Sequence, residues 1–165
     1  MGNVAYLSIE GKQQGLISRS CNSLDSMGNR YQIDHMDEIS VLAMNHQMLR
    51  GISAGSQQHS PLQITKNIDK SSPLLAVAWS KGERLTCVLR LYRITPNGSN
   101  ECYYEIELQE AEIVSVCLSM PHVSMEEAEP QERVSIRYRD ICWRHIPAGT
   151  MGYDTWDDLS WMETK

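Results

Sequence analysis

The sequence predicts a mainly β protein, an antiparallel β-barrel with one short flanking α-helix, and three observations lead to this prediction. Apolar and polar residues alternate through residues 101–108, as in a strand with one buried face. Residues 96–100 contain an Asn-Gly pair, which favours a tight hairpin turn, so the strands on either side are antiparallel neighbours. Residues 72–82 are the one segment that carries helix signals.

Six segments with period-two alternation predict the strands of this barrel. The alternation is interrupted at residues 109–112, which predicts one long strand bent by a bulge or two strands with a sharp corner, and it shifts phase near residue 139, which predicts a second bulge. Either feature suits a barrel that closes on itself. The predicted strands cover residues 4–10, 38–48, 62–69, 85–91, 101–118 and 133–143.

The predicted helix begins with Ser72 as N-cap and Pro73 in its first turn, and it ends before Gly82. A helix of about nine residues is only marginally stable in isolation, so we expect its apolar side chains to pack on the barrel. These side chains are Leu74, Leu75, Ala78 and Trp79. Residues 49–61, rich in Gly, Ser and Gln, and the acidic residues 125–132 are predicted to be loops.

Length and composition set the class of protein. The 165 residues are expected to form a single domain over residues 1–165. The chain is 41% hydrophobic and 22% charged, which excludes disordered and collagen-like classes. Fifteen Lys and Arg against 21 Asp and Glu give a net charge of -6, which disfavours a nucleic-acid partner. Every apolar run is far shorter than the roughly 18 residues of a membrane span, so we expect no membrane insertion.

Cysteine and histidine spacing predicts neither disulfides nor a metal or other cofactor. The five cysteines are an odd number without a Cys-x-x-Cys pair, and we expect them to be reduced packing residues. The five histidines lack the paired spacing of a zinc site. The N-terminus lacks a basic segment followed by an apolar one, so we expect folding in the cytoplasm without a signal peptide.

One short motif is compatible with catalysis. Gly51-Ile52-Ser53-Ala54-Gly55 matches the G-x-S-x-G turn of serine esterases, in which the serine stands between a strand and a helix. Residues 56–61 do not have a helix pattern, and the chain lacks alternating β and α segments. We therefore expect a flexible loop and no enzyme, with a serine esterase as an alternative.

Two sets of charged residues follow the alternation and are candidates for an interface. If their strands face each other, within a sheet or across a subunit boundary, opposite charges would set the register. The other interpretation is that both sets serve solubility, since exposed ion pairs contribute about 0 to 1 kcal/mol. The acidic set is Glu101, Glu105 and Glu107, and the basic set is Arg133, Arg137 and Arg139.

A long motif resembles a known family. Residues 64–75 read ITKNIDKSSPLL, which closely resembles the strand-to-helix junction of the haemolysin-coregulated protein (Hcp) family, the tube subunit of bacterial type VI secretion systems. The resemblance continues through residues 11–18, 37–42, 104–108, 138–143 and 148–150. The motif residues are Ile64, Thr65, Lys66, Asp69, Lys70, Ser71, Ser72 and Pro73.

The resemblance implies a two-sheet β-barrel with a flanking helix that assembles as a homohexameric ring. In the family, rings stack into a tube inside a contractile sheath, the tube is expelled with its spike protein, and small effectors travel in the lumen. It implies assembly in the bacterial cytoplasm followed by secretion into the medium or a target cell. We expect a tube subunit that consists of the barrel alone, without an added toxin domain. An alternative is a small-ligand binding module, a monomeric β-barrel with a ligand cavity.

The resemblance also implies that the loop over residues 49–61 reaches toward a neighbouring subunit or the next ring. We expect replacement of residues 51–58 by a short Gly-Ser linker to leave hexamers intact and to prevent tube growth and secretion. The candidate contact residues are Leu49, Arg50, Gly51, Ile52, Ser53, Gln57 and Gln58.

Overall fold

The computed structural model describes residues 3–51, 57–125 and 129–156, and it confirms the mainly β, antiparallel architecture. Eleven strands and two α-helices lie in these residues. The strands are β1 (Val4–Gly11), β2 (Gly15–Leu16), β3 (Ile39–Asn45), β4 (Met48–Arg50), β5 (Gln57–His59), β6 (Leu62–Asn67), β7 (Leu85–Ile94), β8 (Asn100–Ser119), β9 (Gln131–Arg137), β10 (Asp140–His145) and β11 (Thr150–Thr155). The helices are α1 (Leu24–Met27) and α2 (Ser72–Lys81).

Six strands close the barrel in the order β8-β7-β1-β3-β6-β9, because β8 also pairs with β9. The first half of β8 pairs with β7 on one side and with β10 on the other, and its second half pairs with β9. The strand bends between these halves at Glu110, which has a φ of 49°. The predicted interruption at residues 109–112 is therefore this corner. Strands β10 and β11 extend the sheet beyond the barrel.

The predicted β7–β8 hairpin is confirmed. The backbone N–H of Thr95 donates to the carbonyl oxygen of Ser99 at 2.8 Å. Gly98 has a φ of 86°, which a glycine adopts without the steric cost that a side chain would add.

Helix α2 differs from the prediction at its start and on one face. The N-cap is Ser71, one residue before the predicted Ser72, which is the first helical residue. Gly82 ends the helix in the left-handed conformation, as predicted. Leu75 is completely buried against the barrel, whereas Trp79 is 55% exposed, so the prediction that Trp79 packs inward was wrong.

Two further departures concern short elements. The sequence predicted a single helix, and α1 is a second one that spans one turn, too short for any periodic pattern. Residues 49–61 were predicted to be an irregular loop, yet β5 and two of the three residues of β4 lie within them, and the two strands pair as a two-stranded antiparallel hairpin. Strands of three residues leave no room for a recognisable alternation.

The barrel interior is filled by apolar side chains from every closing strand. Fully or almost fully buried members are Leu7, Ile9, Ile39, Leu62, Ile64, Leu89, Leu108, Ile113, Val134 and Ile136. Burial raises the pKa of the Cys21 thiol to about 11 and that of the Cys87 thiol to about 12, so both are protonated packing residues as expected. Cys117 is exposed, which the packing interpretation did not predict.

Candidate assembly surfaces

The strand-to-helix junction that carries the Hcp-like motif is built around a buried lysine. Lys66 has no exposed surface, and its Nζ lies 2.6 Å from Glu132 Oε1. The same Nζ lies 3.1 Å from Asp69 Oδ1 and 3.1 Å from Ser72 Oγ. Two carboxylates and a hydroxyl therefore surround the ammonium, and they compensate the cost of taking its charge out of water.

The serines at the start of α2 complete this network. Asp69 Oδ1 accepts hydrogen bonds from the backbone N–H of Ser71 at 2.9 Å and from Ser71 Oγ at 2.5 Å. Ser72 Oγ donates to Glu132 Oε1 at 2.6 Å and accepts from the backbone N–H of Asp69 at 3.0 Å. Pro73 follows in the first turn, where a missing N–H leaves no helical bond unmade. These contacts fix the angle between β6 and α2.

The remaining motif residues support the same junction. Ile64 is completely buried in the barrel, and Thr65 is paired with Arg133 of β9. Lys70 is exposed, and its backbone N–H donates to Ser26 Oγ at 2.8 Å. The motif thus has a structural explanation in full.

The β4–β5 hairpin projects from the barrel as a separate two-stranded sheet. Its register pairs Leu49 with Gln58 and Arg50 with Gln57. All four residues are exposed, and Leu49 keeps 50% of its surface in solvent. Of the other candidate contact residues, Gly51 is exposed, and Ile52 and Ser53 lie outside the described residues.

A chain of hydrogen bonds at the base of the hairpin joins it to the barrel. His59 is buried, and its Nδ1 lies 2.7 Å from the hydroxyl of Tyr138. Its Nε2 lies 2.7 Å from Asp154 Oδ2 of β11. The Tyr138 hydroxyl also lies 2.7 Å from His46 Nε2, and the Trp156 ring centroid lies 6.1 Å from that of His59. We refer to His46, Tyr138, His59 and Asp154 as the basal chain.

When both histidines are neutral, the donor and acceptor rules determine which atom donates and which accepts in each hydrogen bond of the basal chain. The Asp154 carboxylate only accepts, so His59 Nε2 carries the proton of that bond. His59 Nδ1 then accepts from the Tyr138 hydroxyl, whose oxygen accepts from the N–H of His46 Nε2. Burial, with a smaller contribution from nearby His59, lowers the pKa of His46, and burial raises the pKa of Tyr138. Both shifts favour the neutral forms that this order requires.

The geometry of His59 gives no support to a serine esterase. A catalytic histidine needs one ring nitrogen facing the serine hydroxyl and the other facing its orienting carboxylate. In His59 the carboxylate side is occupied by Asp154, and the other nitrogen is bonded to Tyr138. Ser53 itself lies outside the described residues.

The acidic set of charged residues has partners on its own sheet. Glu105 lies 3.2 Å from Arg90 and 2.9 Å from Arg144, which are on the strands that flank β8. Glu101 lies 3.4 Å from Arg93, and Glu107 lies 3.4 Å from Arg144.

The basic set has different partners, so the two sets do not face each other within the sheet. Arg137 lies 3.3 Å from Glu112, and Arg139 lies 2.8 Å from Asp140. Arg133 is exposed opposite Cys117. The physical reason is the corner in β8, because the acidic set precedes it and β9 pairs with the strand beyond it.

Two other classes of site are absent from residues 3–51, 57–125 and 129–156. There, no group of three or more His, Cys, Asp or Glu side chains stands close enough to hold a metal ion. Over the same residues, no helix is long and apolar enough to span a membrane.

Comparison with known sequences gives matches over nearly the whole chain. The family described as "Type VI secretion system effector, Hcp" matches residues 6–145. The major exported protein of Pseudomonas aeruginosa is 39% identical over 167 residues, covering 94% of this chain and 96% of that protein. The Escherichia coli protein YhhZ is 35% identical over 150 residues, covering 91% of this chain and 37% of YhhZ.

Solved structures agree with these sequence matches. A crystal structure of an Hcp protein superimposes with a TM-score of 0.90 and 34% identity, over 94% of this chain and 99% of that chain. The secreted protein Hcp3 of Pseudomonas aeruginosa superimposes with a TM-score of 0.84 and 38% identity, over the same shares of the two chains.

Proposed function

The chain belongs to the Hcp family of type VI secretion proteins, and on that premise we propose that it is a structural subunit of the secretion tube. The observation that carries the proposal is that the likeness extends over the barrel and α2, not over one motif. The subunit would assemble as a homohexameric ring, and the rings would stack into a tube. The role is structural and not enzymatic.

An exposed strand edge supports assembly with further copies. Within the part of the chain that the structure describes, strand β11 stands at the end of the sheet order, and its residues Met151 and Tyr153 are both exposed. An apolar edge strand is normally covered, because its backbone groups otherwise pair with other chains. Six subunits carry 6 × -6 = -36 charges, so the subunit contact must outweigh mutual repulsion. Contacts from the charged set of Glu101, Glu105, Glu107, Arg133, Arg137 and Arg139 would add a smaller contribution.

Native mass spectrometry tests the ring. We expect a hexamer at micromolar concentration that persists as salt is raised, because apolar burial is not screened by ions. A monomer under these conditions would contradict the proposal and would favour the small binding module.

The β4–β5 hairpin is the proposed ring-stacking contact. It presents exposed apolar and amide side chains outside the barrel, and the basal chain holds its root. A sharper variant than the linker replacement is Leu49→Ser/Arg50→Glu, because it leaves His59 in place. We expect hexamers without tubes by electron microscopy, whereas the control Ile94→Glu/Asn97→Glu, at the end of β7 and in the turn that follows it, should form tubes. Normal tubes from the hairpin variant would show that stacking lies elsewhere.

Export is the proposed fate of the tube. We propose assembly in the bacterial cytoplasm and secretion by contraction of a sheath, with a spike protein at the tip and small effectors in the lumen. The likeness to a major exported protein supports this. The protein should appear in the medium of wild-type cells and stay inside cells whose sheath cannot contract.

Absence of catalysis is also testable. Ser53→Ala should leave any esterase signal of the preparation unchanged. Loss of that signal in an intact ring would revive the enzyme alternative.

A further inference from the structure

A cleft of about 280 Å³ lies between the β4–β5 hairpin and strand β11. Its walls are residues 48–50 and 57–59 of the hairpin on one side and Asp154 on the other. His59 and Asp154 belong to the basal chain, whereas Met48 and Arg50 have no part in it. These two side chains are therefore available to a further contact.

The register of the hairpin shows which side chains face this cleft. Met48 is paired with His59, and Arg50 is paired with Gln57. Because side chains alternate between the two faces of a strand, these four lie on one face of the hairpin. His59 turns that face toward β11, since its Nε2 lies 2.7 Å from Asp154 Oδ2. We call this face, formed by Met48, Arg50, Gln57 and His59, the rear face.

The rear face combines an apolar side chain with a positive charge that lacks an acidic partner. Met48 is 51% exposed. Within the described residues, the Arg50 guanidinium makes no ion pair, and its Nη2 donates to the side-chain oxygen of Gln57 at 2.8 Å. The carboxylate of Asp154, in the same cleft wall, is bonded to His59. A segment with apolar and acidic side chains therefore complements this face.

The chain leaves the barrel next to the rear face. Trp156 follows β11, and its backbone N–H donates to the carbonyl oxygen of Arg139 at 2.8 Å. Its ring centroid lies 6.1 Å from that of His59, which is a rear-face residue. Residues 157–165 lie outside the described residues, and they follow directly from this point.

Residues 157–165, with the sequence DDLSWMETK, have the composition that complements the rear face. They contain three acidic residues against one lysine, and their apolar residues are Leu159, Trp161 and Met162. Five residues of extended chain reach about 16 Å, at roughly 3.3 Å per residue, and a strand of three residues spans about 10 Å. Trp161, five positions after Trp156, can therefore reach any part of the rear face.

We propose that residues 157–165 bind the rear face of the hairpin in their own chain, with apolar side chains against Met48 and carboxylates beside Arg50. The segment would fill the cleft and brace the hairpin, which the basal chain holds at its root. Leu49 and Gln58 are paired with each other and lie on the opposite face, so the brace leaves them exposed. The contact lies within one subunit, so the inference does not depend on ring or tube formation.

The first test weakens the apolar part of this contact. In Leu159→Ser/Trp161→Ser, hydrogen exchange at the amides of β4 and β5 should become about tenfold faster, because the burial of two large side chains is lost. Exchange in β6 and β9 should stay unchanged, which also shows that the barrel is folded. The control Ser160→Ala/Thr164→Ala changes polar side chains of the same segment and should exchange like the wild type. Wild-type exchange rates in Leu159→Ser/Trp161→Ser would overturn the proposal.

The second test reverses the charges. Arg50→Glu alone and Asp157→Lys/Asp158→Lys alone should each make exchange in β4 and β5 about threefold faster, since an exposed ion pair contributes modestly. The chain that carries all three substitutions should return to within about twofold of the wild-type rate, and added salt should reduce these differences. Faster exchange in the combined chain than in either parent would contradict a contact between the segment and Arg50.

The third test distinguishes a contact within one chain from a contact between neighbouring chains. The Arg50→Glu chain and the Asp157→Lys/Asp158→Lys chain are co-expressed, so that any assembly contains both. Each chain then carries mismatched charges of its own, and exchange in β4 and β5 should stay as fast as in the two parents. If exchange slowed toward the wild-type rate, the segment would occupy the rear face of a neighbouring subunit, and the proposal would be wrong.

Discussion

The strand-to-helix junction and the β4–β5 hairpin contain polar networks of similar size that are held in opposite ways. At the junction, Lys66 is completely buried and its partners come from the turn between β6 and α2, from α2 and from β9. At the hairpin, the basal chain holds the root, and beyond His59 the side chains of Leu49 and Gln58 extend into solvent. The first network is therefore part of the folded core, and the second joins an outlying element to it. The proposed tube subunit would use the first as a rigid body and the second as a contact element that adapts to its neighbour.

The largest expected effect comes from the junction. Lys66→Met leaves the Glu132 and Asp69 carboxylates buried without their cation, and we expect a loss of about 3–5 kcal/mol in the free energy of unfolding. The matched control is Lys70→Met, whose exposed side chain should change stability by less than about 0.5 kcal/mol. Urea denaturation of both variants measures the difference. Equal stabilities would mean that the junction network is not integral to the core.

The second prediction concerns the hairpin root. Tyr138→Phe removes the hydroxyl that His46 and His59 share. We expect the free energy of unfolding to fall by about 1–3 kcal/mol, because two ring nitrogens lose a buried partner. Hydrogen exchange should increase first at amides of β4 and β5, with β6 and β9 less affected. The exposed Tyr31→Phe is the control. An equal increase in hydrogen exchange across the hairpin and the barrel would contradict the contrast between the two regions.

The third prediction is a pH dependence confined to the hairpin. The pKa of His46 lies below its ordinary value near 6.5, so the unfolded chain binds the His46 proton more readily than the native chain. The contribution of neutral His46 to the free energy of unfolding is complete above about pH 6.5 and decreases as the pH falls. Exchange protection of β4 and β5 should therefore decrease between about pH 7.5 and pH 5.5. His46→Gln keeps an N–H donor without a titrating ring and should flatten that profile.

The smallest expected effect lies on the charged sheet face. Glu105→Gln removes the carboxylate that Arg90 and Arg144 share, and both arginines are partly exposed. We expect the free energy of unfolding to change by about 0 to 1 kcal/mol, and this difference should decrease as salt is added. A loss as large as that of Lys66→Met would mean that this face is covered in the assembled ring.

Much of the barrel could be predicted from the sequence because its strands are long and have one buried face. Lys66 occupies an inward position in the alternation of Leu62 and Ile64, so a buried charge was detectable there. Its partner Glu132 was not, since the two residues are 66 positions apart and meet only because β6 pairs with β9.

The hairpin and the basal chain were not predicted for a related reason. Strands of three residues are too short to show a period, and residues 49–61 have the composition of a loop. The four members of the basal chain come from separate parts of the sequence, and His59 and Asp154 are 95 positions apart. Their histidines and tyrosine have no spacing motif, so only the closed barrel brings them together.

The bend in β8 has a mechanical consequence. A continuous stretch of 20 residues passes from the part of the sheet beside β7 and β10 to the part beside β9, turning at Glu110. Force applied to one part therefore reaches the other through covalent backbone bonds, which do not yield under loads that separate hydrogen-bonded strands. Tearing the barrel apart between these two parts would require stretching this strand and not merely peeling one strand from its neighbour. The two parts of the barrel are thus joined by the chain itself as well as by hydrogen bonds between strands.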